Sequence, residues 1–410
     1  MKNIKKRIIF VNLHGAFLLL RVAMSYIFKF SAAIKHGYIL RYLLDNPDKF
    51  EVCNYISDEG FTLYTGGPKI LVKTLSKFAY IENKITLLKN GINPSKIKVL
   101  TRPDQLKKDD IVIMYNASGG LSCMNASNVF KAVSMIHFHG KQGESDAINN
   151  AGVNCIFNEV NLQDSSEIFR RFYDINLPWI VHPFVFAERF KNVKPFKERK
   201  NKCFSTGTIT YKSHQEFIEV YGDPCDQPAR KFVKNNPEFF KNTVDCYNSD
   251  YLEDNPGKKF RTSDNAVVKL YKKIYNRTHV GKQKRYFSFD MVEKFNEYKM
   301  HLIGEEILGV PGIGFVEGMA CGSAYIGLDS PMYRNYGLIP GEHYITYDGT
   351  KEGLKKTVEY WQRPENQIEL EAIAKRGCDF VRENFRGEKV AKKLINDLIE
   401  QQQKWQTQTE

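Results

Sequence analysis

Short apolar runs alternate with helically spaced stretches along most of the 410-residue chain. RIIFVNL (7–13), FEVCNYI (50–56), IKVLT (97–101), DIVIMY (110–115), AVSMIHFHG (132–140), NCIFNEV (154–160) and PWIVHPF (178–184) are nearly continuous in apolar residues. Continuous rather than alternating runs of this length read as strands buried on both faces. Helical patterns fill the gaps, one running to about Leu44 and another over 67–91. A charged, proline-containing segment at 191–202 has no periodicity and reads as an interdomain linker. KCFSTGT (202–208), MHLIG (300–304), SAYIGL (323–328) and HYITYD (343–348) then restart the strand pattern. Helices are expected at 264–275, 290–299, 351–362, 366–382 and 386–404, whereas 221–262, rich in Pro, Asp and Asn, shows no period. Strands alternating with helices predict an α/β, doubly wound architecture. The length predicts two domains.

Composition narrows the class. Apolar residues at 42% and charged residues at 26% are those of a soluble globular chain. The formal net charge of +13 suits an anionic substrate or an anionic membrane surface, with cations clustered at 2–7 and 194–202. Neither zinc-finger spacing nor an RNP-type aromatic motif is present, so no nucleic-acid partner is expected. The eight cysteines form no CxxC pair and several lie in apolar runs, which reads as buried thiols in a reducing compartment. AFLLLRVAMSYIF (16–28) is too short to span a bilayer and carries Arg21 near its middle. The expected location is therefore cytoplasmic, with peripheral attachment to a membrane face as the alternative to a buried helix.

The stretch GVPGIGFVEGMACGSAYIG (309–327) is the densest in candidate chemistry. A glycine-rich turn leads from the MHLIG strand into a helix that starts near Phe315, with Glu317 in its first turn. Helix-start amides suit an anion, and Gly312 and Gly314 remove Cβ atoms that would block close approach. A first-turn acid is also ordinary capping. Taken whole, PGIGFVEGMACGSAYIG resembles the donor-site segment of GT-B glycosyltransferases of the group-1, nucleotide-sugar-dependent type. GLIPGEHYITYDGTKEGLKKTVEYW (337–361) and ENFRGEKVAKKLINDLIE (383–400) resemble the segments that follow it. The resemblance implies that Glu317 bonds the nucleotide ribose and that Gly312, Ile313, Gly314 and Phe315 meet the sugar and diphosphate through their amides. One departure stands out. The family's first acid falls on Gly309, with Glu305 and Glu306 nearby but out of register; either one of these, Glu306 foremost, replaces it as a donor-sugar contact from a shifted loop, or the backbone serves alone. NEYKMHLIGEE (296–306) is similar to the entry strand of fucosyltransferase-like GT-B enzymes, which invert, although their later Y-x-x-E-K-like motif is absent.

The departing nucleoside diphosphate needs its charge neutralised. No D-x-D metal motif occurs in the chain, leaving cations and backbone amides. STGTITYK (205–212) resembles the family's first strand-loop of the C-terminal domain; Lys212 takes the basic position and Thr208 stands where an arginine is usual. Arg285, Lys284 and Lys282 are further cations for the same task. His137 and His139 end a strand on one face. Zinc binding lacks other ligands nearby, so a cleft-lining general base for an acceptor hydroxyl is the stronger functional reading, beside that of packed histidines. His14, next to Gly15, is treated alike; His182, before Pro183, reads as structural, and Asp290 with Glu293 as a capping box.

These readings combine into two Rossmann-like domains facing a cleft: 1–192 for the acceptor, 200–385 for the nucleotide-sugar, and 386–410 as a helix crossing back. The expected activity is metal-independent transfer of a sugar from a nucleotide-diphospho-sugar, UDP or GDP foremost, to a glycan or lipid-linked glycan hydroxyl. No further cofactor is expected, and a retaining front-face reaction is preferred. The alternatives are a nucleotide-sugar epimerase of the same fold and a non-catalytic sugar-nucleotide-binding protein.

Overall fold

The computed structural model describes residues 5–11, 37–55, 90–114, 128–135, 144–212, 215–250 and 289–409, with Lys84, Leu87 and Leu88 besides. The expected helices at 67–91 (those three residues, Asn90 and Gly91 apart) and 264–275, and the apolar stretch 16–28, lie outside the described residues. The chain divides into two compact units. One comprises 1–159, 172–182 and 387–410, the other 160–171 and 183–386.

The first unit holds a parallel sheet of β1 (Lys6–Val11), β2 (Phe50–Tyr55), β3 (Lys98–Leu100), β4 (Ile111–Met114), β5 (Phe130–Ser134), β6 (Cys155–Asn158) and β7 (Trp179–Val181). Their order is β3-β2-β1-β4-β5-β6-β7, and every neighbouring pair is parallel. Burial of β4, β5 and β6 along their whole length explains why they read as unbroken apolar runs. Two helices of this unit are α1 (Gly37–Asp45) and α2 (Glu144–Asn150).

The second unit holds α3 (Leu162–Ser165), α4 (Glu167–Phe172, whose last residue falls in the first unit), β8 (Lys200–Ile209), α5 (Gln215–Tyr221), α6 (Pro228–Asn235), α7 (Pro237–Phe240), β9 (Val244–Asp250), α8 (Met291–Glu297), β10 (Tyr298–Leu302), α9 (Gly314–Ala320), β11 (Ala324–Leu328), α10 (Pro331–Asn335), β12 (Ile345–Tyr347), α11 (Lys351–Gln362) and α12 (Gln367–Asn384). Its sheet runs β12-β11-β10-β8-β9, again parallel throughout. Read from β9, the chain winds outward from β8 in both directions, so the topological switch point falls between β8 and β10. On one face Met300, Leu302, Ile326 and Ile345 pack under Val233 of α6, Leu354 and Val358 of α11 and Ile373 of α12. Each such buried aliphatic side chain contributes roughly 1.5–3 kcal/mol.

The closing helix α13 (Gly387–Thr409) belongs to the first unit. Ala391, Leu394, Ile395 and Leu398 recur at helical spacing and are buried with Ile39, Leu40 and Leu43 of α1. Gln402 donates to the Asp110 carbonyl at 3.0 Å, and Trp405 lies 6.0 Å from the Phe130 ring.

The structure departs from the sequence expectation in several places. The stretch 221–262, expected to be without period, holds α6, α7 and strand β9, whose polar and half-buried residues hide it from an apolar-run reading, and α3 and α4 were not foreseen. Strand β10 begins at Tyr298, two residues early, because the Tyr298 hydroxyl is held by Asp245 at 2.8 Å and its backbone pairs with Lys200. The segment read as a linker is packed into the second unit. Arg199, only 4% exposed, donates to Asn192 Oδ1 at 2.7 Å, to the Cys321 carbonyl at 2.9 Å and to the Phe295 carbonyl at 3.3 Å. Val193 N donates to Asn296 Oδ1 at 2.9 Å. Asp290 caps α8, accepting from Val292 N at 2.7 Å and Glu293 N at 3.0 Å.

Candidate functional site

In an open parallel sheet, ligands bind beyond the carboxyl ends of the strands at the switch point. In the second unit this places the site where β8 and β10 end. Strand β8 delivers Gly207, Thr208 and Ile209, followed by Thr210, Tyr211 and Lys212; β10 delivers Ile303, Gly304, Glu305 and Glu306.

Four charged side chains converge there. Lys212 Nζ lies 3.1 Å from Asp226 Oδ2, with the lysine side chain 15% exposed and the aspartate 2%. Gln227 ties this corner to β8: its Oε1 accepts from Thr210 N at 2.7 Å, and its Nε2 donates to Asp226 Oδ2 at 3.2 Å. Asp226 Oδ1 has no hydrogen-bond partner among the described residues. Glu306 faces the same corner. Burial, then the nearby Asp226 carboxylate, push its pKa up, while Lys212 and Arg230 pull it back. Arg230 completes the set. Its Nη1 donates to the Thr208 carbonyl at 2.7 Å, Nη2 to the Gly304 carbonyl at 3.3 Å, and Nε to the Ile303 carbonyl. Thr208 itself is half-buried and contributes its carbonyl to this clamp.

The two acids near the family's missing first acid have different fates. Glu305 is buried and committed: its Oε1 accepts from Tyr333 at 2.6 Å, Tyr325 at 3.2 Å and Leu328 N at 2.8 Å. Glu306 alone is left facing Lys212. At Gly309 no acid could stand. Its φ is +80°, and a Cβ would lie 2.3 Å from the Ser165 carbonyl oxygen.

The glycine turn is packed against the protein itself. A Cβ on Gly312 would lie 2.6 Å from Ile303 Cγ2, and one on Gly314 would lie 2.8 Å from Ile303 Cδ1. The sequence reading assigned these glycines to close ligand approach; in the fold their Cβ positions face Ile303, the residue just past β10. The amides of Phe315 and Val316 turn back to the carbonyls of Gly312 and Ile313, at 3.1 Å each, and Glu317 N reaches Ile313 at 3.4 Å. Glu317 lies in the first turn of α9, half-buried. Burial lifts its carboxyl to about 7, only partly countered by Arg189. Gly318, next along, makes room for His301, whose Nε2 would lie 2.3 Å from a Cβ there. That histidine is fully buried, 3.2 Å from the Phe315 carbonyl, and burial lowers its pKa to about 3, so it stays neutral.

The candidates His14, His137, His139 and Arg285, with Lys282 and Lys284, lie outside the described residues. His182 is buried, its ring 6.0 Å from Phe157. No three His, Cys, Asp or Glu side chains converge as metal ligands among the described residues. Sequence reasoning missed Arg230 and Asp226. One signal was available: Arg230 follows Pro228 in the first turn of α6, where a cation opposes the helix dipole.

Two parallel, doubly wound sheets of seven and five strands, the second carrying this glycine turn and acid at its switch point, give the chain the GT-B fold. Solved structures with the same fold include HepE of Anabaena in complex with UDP and glucose (TM-score 0.51, 12% identity, covering 96% of this chain and 99% of that one). The sucrose-phosphate synthase of Thermosynechococcus elongatus matches with TM-score 0.50 and 10% identity over 96% and 98% of the two chains. A glycosyltransferase of Rickettsia africae matches with TM-score 0.50 and 12% identity over 97% and 98%. At these identities the likeness is one of fold. No family model and no curated protein matches the sequence.

Proposed function

We propose that the protein is a glycosyltransferase that moves a sugar from a nucleotide-diphospho-sugar to a hydroxyl of a glycan or lipid-linked glycan. The observation that carries the reading is the convergence of Lys212, Glu306 and the Arg230-clamped loop at the switch point of the second sheet, with Glu317 on the turn that follows. Lys212 would leave Asp226 for the diphosphate and stabilise the charge that develops as the nucleotide departs. Glu317 would accept hydrogen bonds from the ribose. Glu306 faces the place where the donor sugar would rest. Charge neutralisation by Lys212 and loop amides is the basis for proposing metal-independent chemistry. A retaining front-face course is preferred, with His14, His137 or His139 as the group that handles the acceptor proton.

UDP is the first nucleotide to test, since the similarly folded HepE was solved with it; GDP is the second. The net charge of +13 supports an acceptor held at an anionic membrane surface on the cytoplasmic side. No helix among the described residues is long and apolar enough to cross a membrane. One observation favours a second reading, a binding protein without turnover: the backbone at Gly309 leaves no room for the family's first acid.

Thermal-shift measurements with UDP-, GDP-, CMP- and dTDP-sugars on the wild type and Glu317→Ala test the proposal, followed by assay of nucleoside diphosphate release. A donor that raises the wild-type Tm but not that of the variant, and is turned over with acceptor, supports it. Stabilisation without release supports the binding-protein reading. A variant that responds as strongly as wild type refutes the role of Glu317, and no response to any donor refutes the transferase.

A further inference from the structure

The Arg230 guanidinium occupies a slot made by three glycines. A Cβ on Gly207, where φ is +136°, would lie 2.5 Å from Arg230 Cζ. One on Gly312 would lie 2.9 Å from Nη2, and one on Gly304 would lie 3.4 Å from Cγ. The residue is 7% exposed and meets carbonyls on both sides of the switch point: Thr208 in β8, and Ile303 and Gly304 just past β10. Adjacent parallel strands are joined by ladder bonds only where their backbones pair. Here the β8–β10 ladder runs to Leu302 opposite Ser205, and the arginine bridges the chains beyond it. A planar fork can do this because it presents several donors in one fixed plane; an ammonium group cannot.

We propose that Arg230 is a positioning residue for the diphosphate-binding loop: by clamping the Thr208 carbonyl near the end of β8 to the carbonyls just past β10 it fixes the 304–312 turn over the switch point without touching the ligand. The inference rests on the glycosyltransferase reading above. The same side chain sets a fixed positive charge near Glu306, so that acid has a counter-charge besides Lys212, which is paired with Asp226. That leaves Lys212 able to turn toward an incoming phosphate. Gly207 follows from this arrangement alone, its Cβ position taken by the guanidinium; Gly312 yields its own to both Ile303 and the guanidinium, and Gly304 to Ala229 and the arginine stem.

The test compares Arg230→Lys, which keeps the charge and loses the fork, with Gly207→Ala, which keeps the arginine and closes the slot. UDP and GDP are titrated calorimetrically at a temperature where circular dichroism shows each variant folded. Leu354→Ala, a core change under α11, serves as a control of reduced stability with the clamp intact. Arg230→Lys and Gly207→Ala are expected to lose at least tenfold in nucleotide affinity, while Leu354→Ala keeps wild-type affinity. Wild-type affinity in Arg230→Lys overturns the inference, and so does an equal loss in Leu354→Ala. If both clamp variants fail to fold, the role is one of fold maintenance only and the inference is again overturned. If the wild type binds neither UDP nor GDP, nor CMP or dTDP in the same titration, the transferase reading falls first and the inference falls with it; binding by wild type and clamp variants alike removes the inference alone.

Discussion

Replacing Glu317 by Gln should make the protein more stable and less able to bind a nucleotide. The carboxyl is lifted from 4.5 to about 7 because burial penalises its charge, and Arg189 offsets only part of that. The folded state therefore holds a proton that the unfolded chain releases between pH 4.5 and 7. Stability must fall as pH rises through that window, since the folded state binds more protons there. A shift of this size corresponds to about 3 kcal/mol at one unit per ~1.4 kcal/mol. The side chain is half-buried and keeps some solvent, so about 2 kcal/mol is the working figure. Glutamine keeps the shape and carries no charge. Urea unfolding from pH 4 to 8.5 should show wild type and Glu317→Gln equal at the acid end. By pH 8 the variant's midpoint should lie higher by roughly 1 M. Glu306, also raised, leaves a residual slope of the same sign in the variant. A variant no more stable than wild type at pH 8, or an unchanged pH slope, refutes the argument. Loss of nucleotide-induced stabilisation in the more stable variant would identify the acid as one kept for binding.

Lys212→Met strands Asp226 and Glu306 without their lysine and should cost about 3 kcal/mol, along with nucleotide affinity; calorimetric melting with and without UDP measures both. Gly309→Ala meets a left-handed backbone and the Ser165 carbonyl, and should cost about 2–4 kcal/mol, lowering the Tm by roughly 5–15 °C in differential scanning calorimetry. Arg199→Lys gives up the fork that joins Asn192, Phe295 and Cys321, and should lose about 2–4 kcal/mol in urea unfolding.

Most strands were legible because parallel strands covered on both faces leave short apolar runs bounded by turns, whereas β9, VDCYNSD with three half-buried positions, left no such run and was missed. The stripe at Ala391, Leu394, Ile395 and Leu398 was legible for the same kind of reason, a period of the helix written in burial. What the pattern hid was polar. The 191–202 segment looked like a linker because it is charged, yet Arg199 is buried by bonding to carbonyls and to Asn192, and no hydropathy pattern reports a bond to a distant carbonyl. Arg230 was hidden likewise. The glycines of 309–327 were visible as close approaches but not as approaches to what: Gly309 meets Ser165, Gly314 meets Ile303 and Gly318 meets His301. The partner of a glycine is a tertiary fact, and one chain read in order does not contain it.

A fold shared at 10–12% identity says nothing of chemistry by itself. The case for a working site rests on where the unit tolerates unfavourable electrostatics. Glu305, a few residues from the switch point, is saturated by two tyrosines and an amide, as a buried acid in a purely structural place should be. Its neighbour Glu306 faces another carboxylate, Asp226 keeps an oxygen without a donor, and Glu317 is driven toward its neutral form. Glu306 lies just past β10, Asp226 on the loop between α5 and α6 that bonds back to Thr210, and Glu317 in the first turn of α9. An unfavourable buried charge is readily removed by mutation, and its removal stabilises the fold, so such a concentration is expected only where a ligand supplies the missing partners. Bound ribose hydroxyls would satisfy Glu317. A diphosphate would draw Lys212 outward, and a donor-sugar hydroxyl beside Glu306 would then replace the cation as its partner.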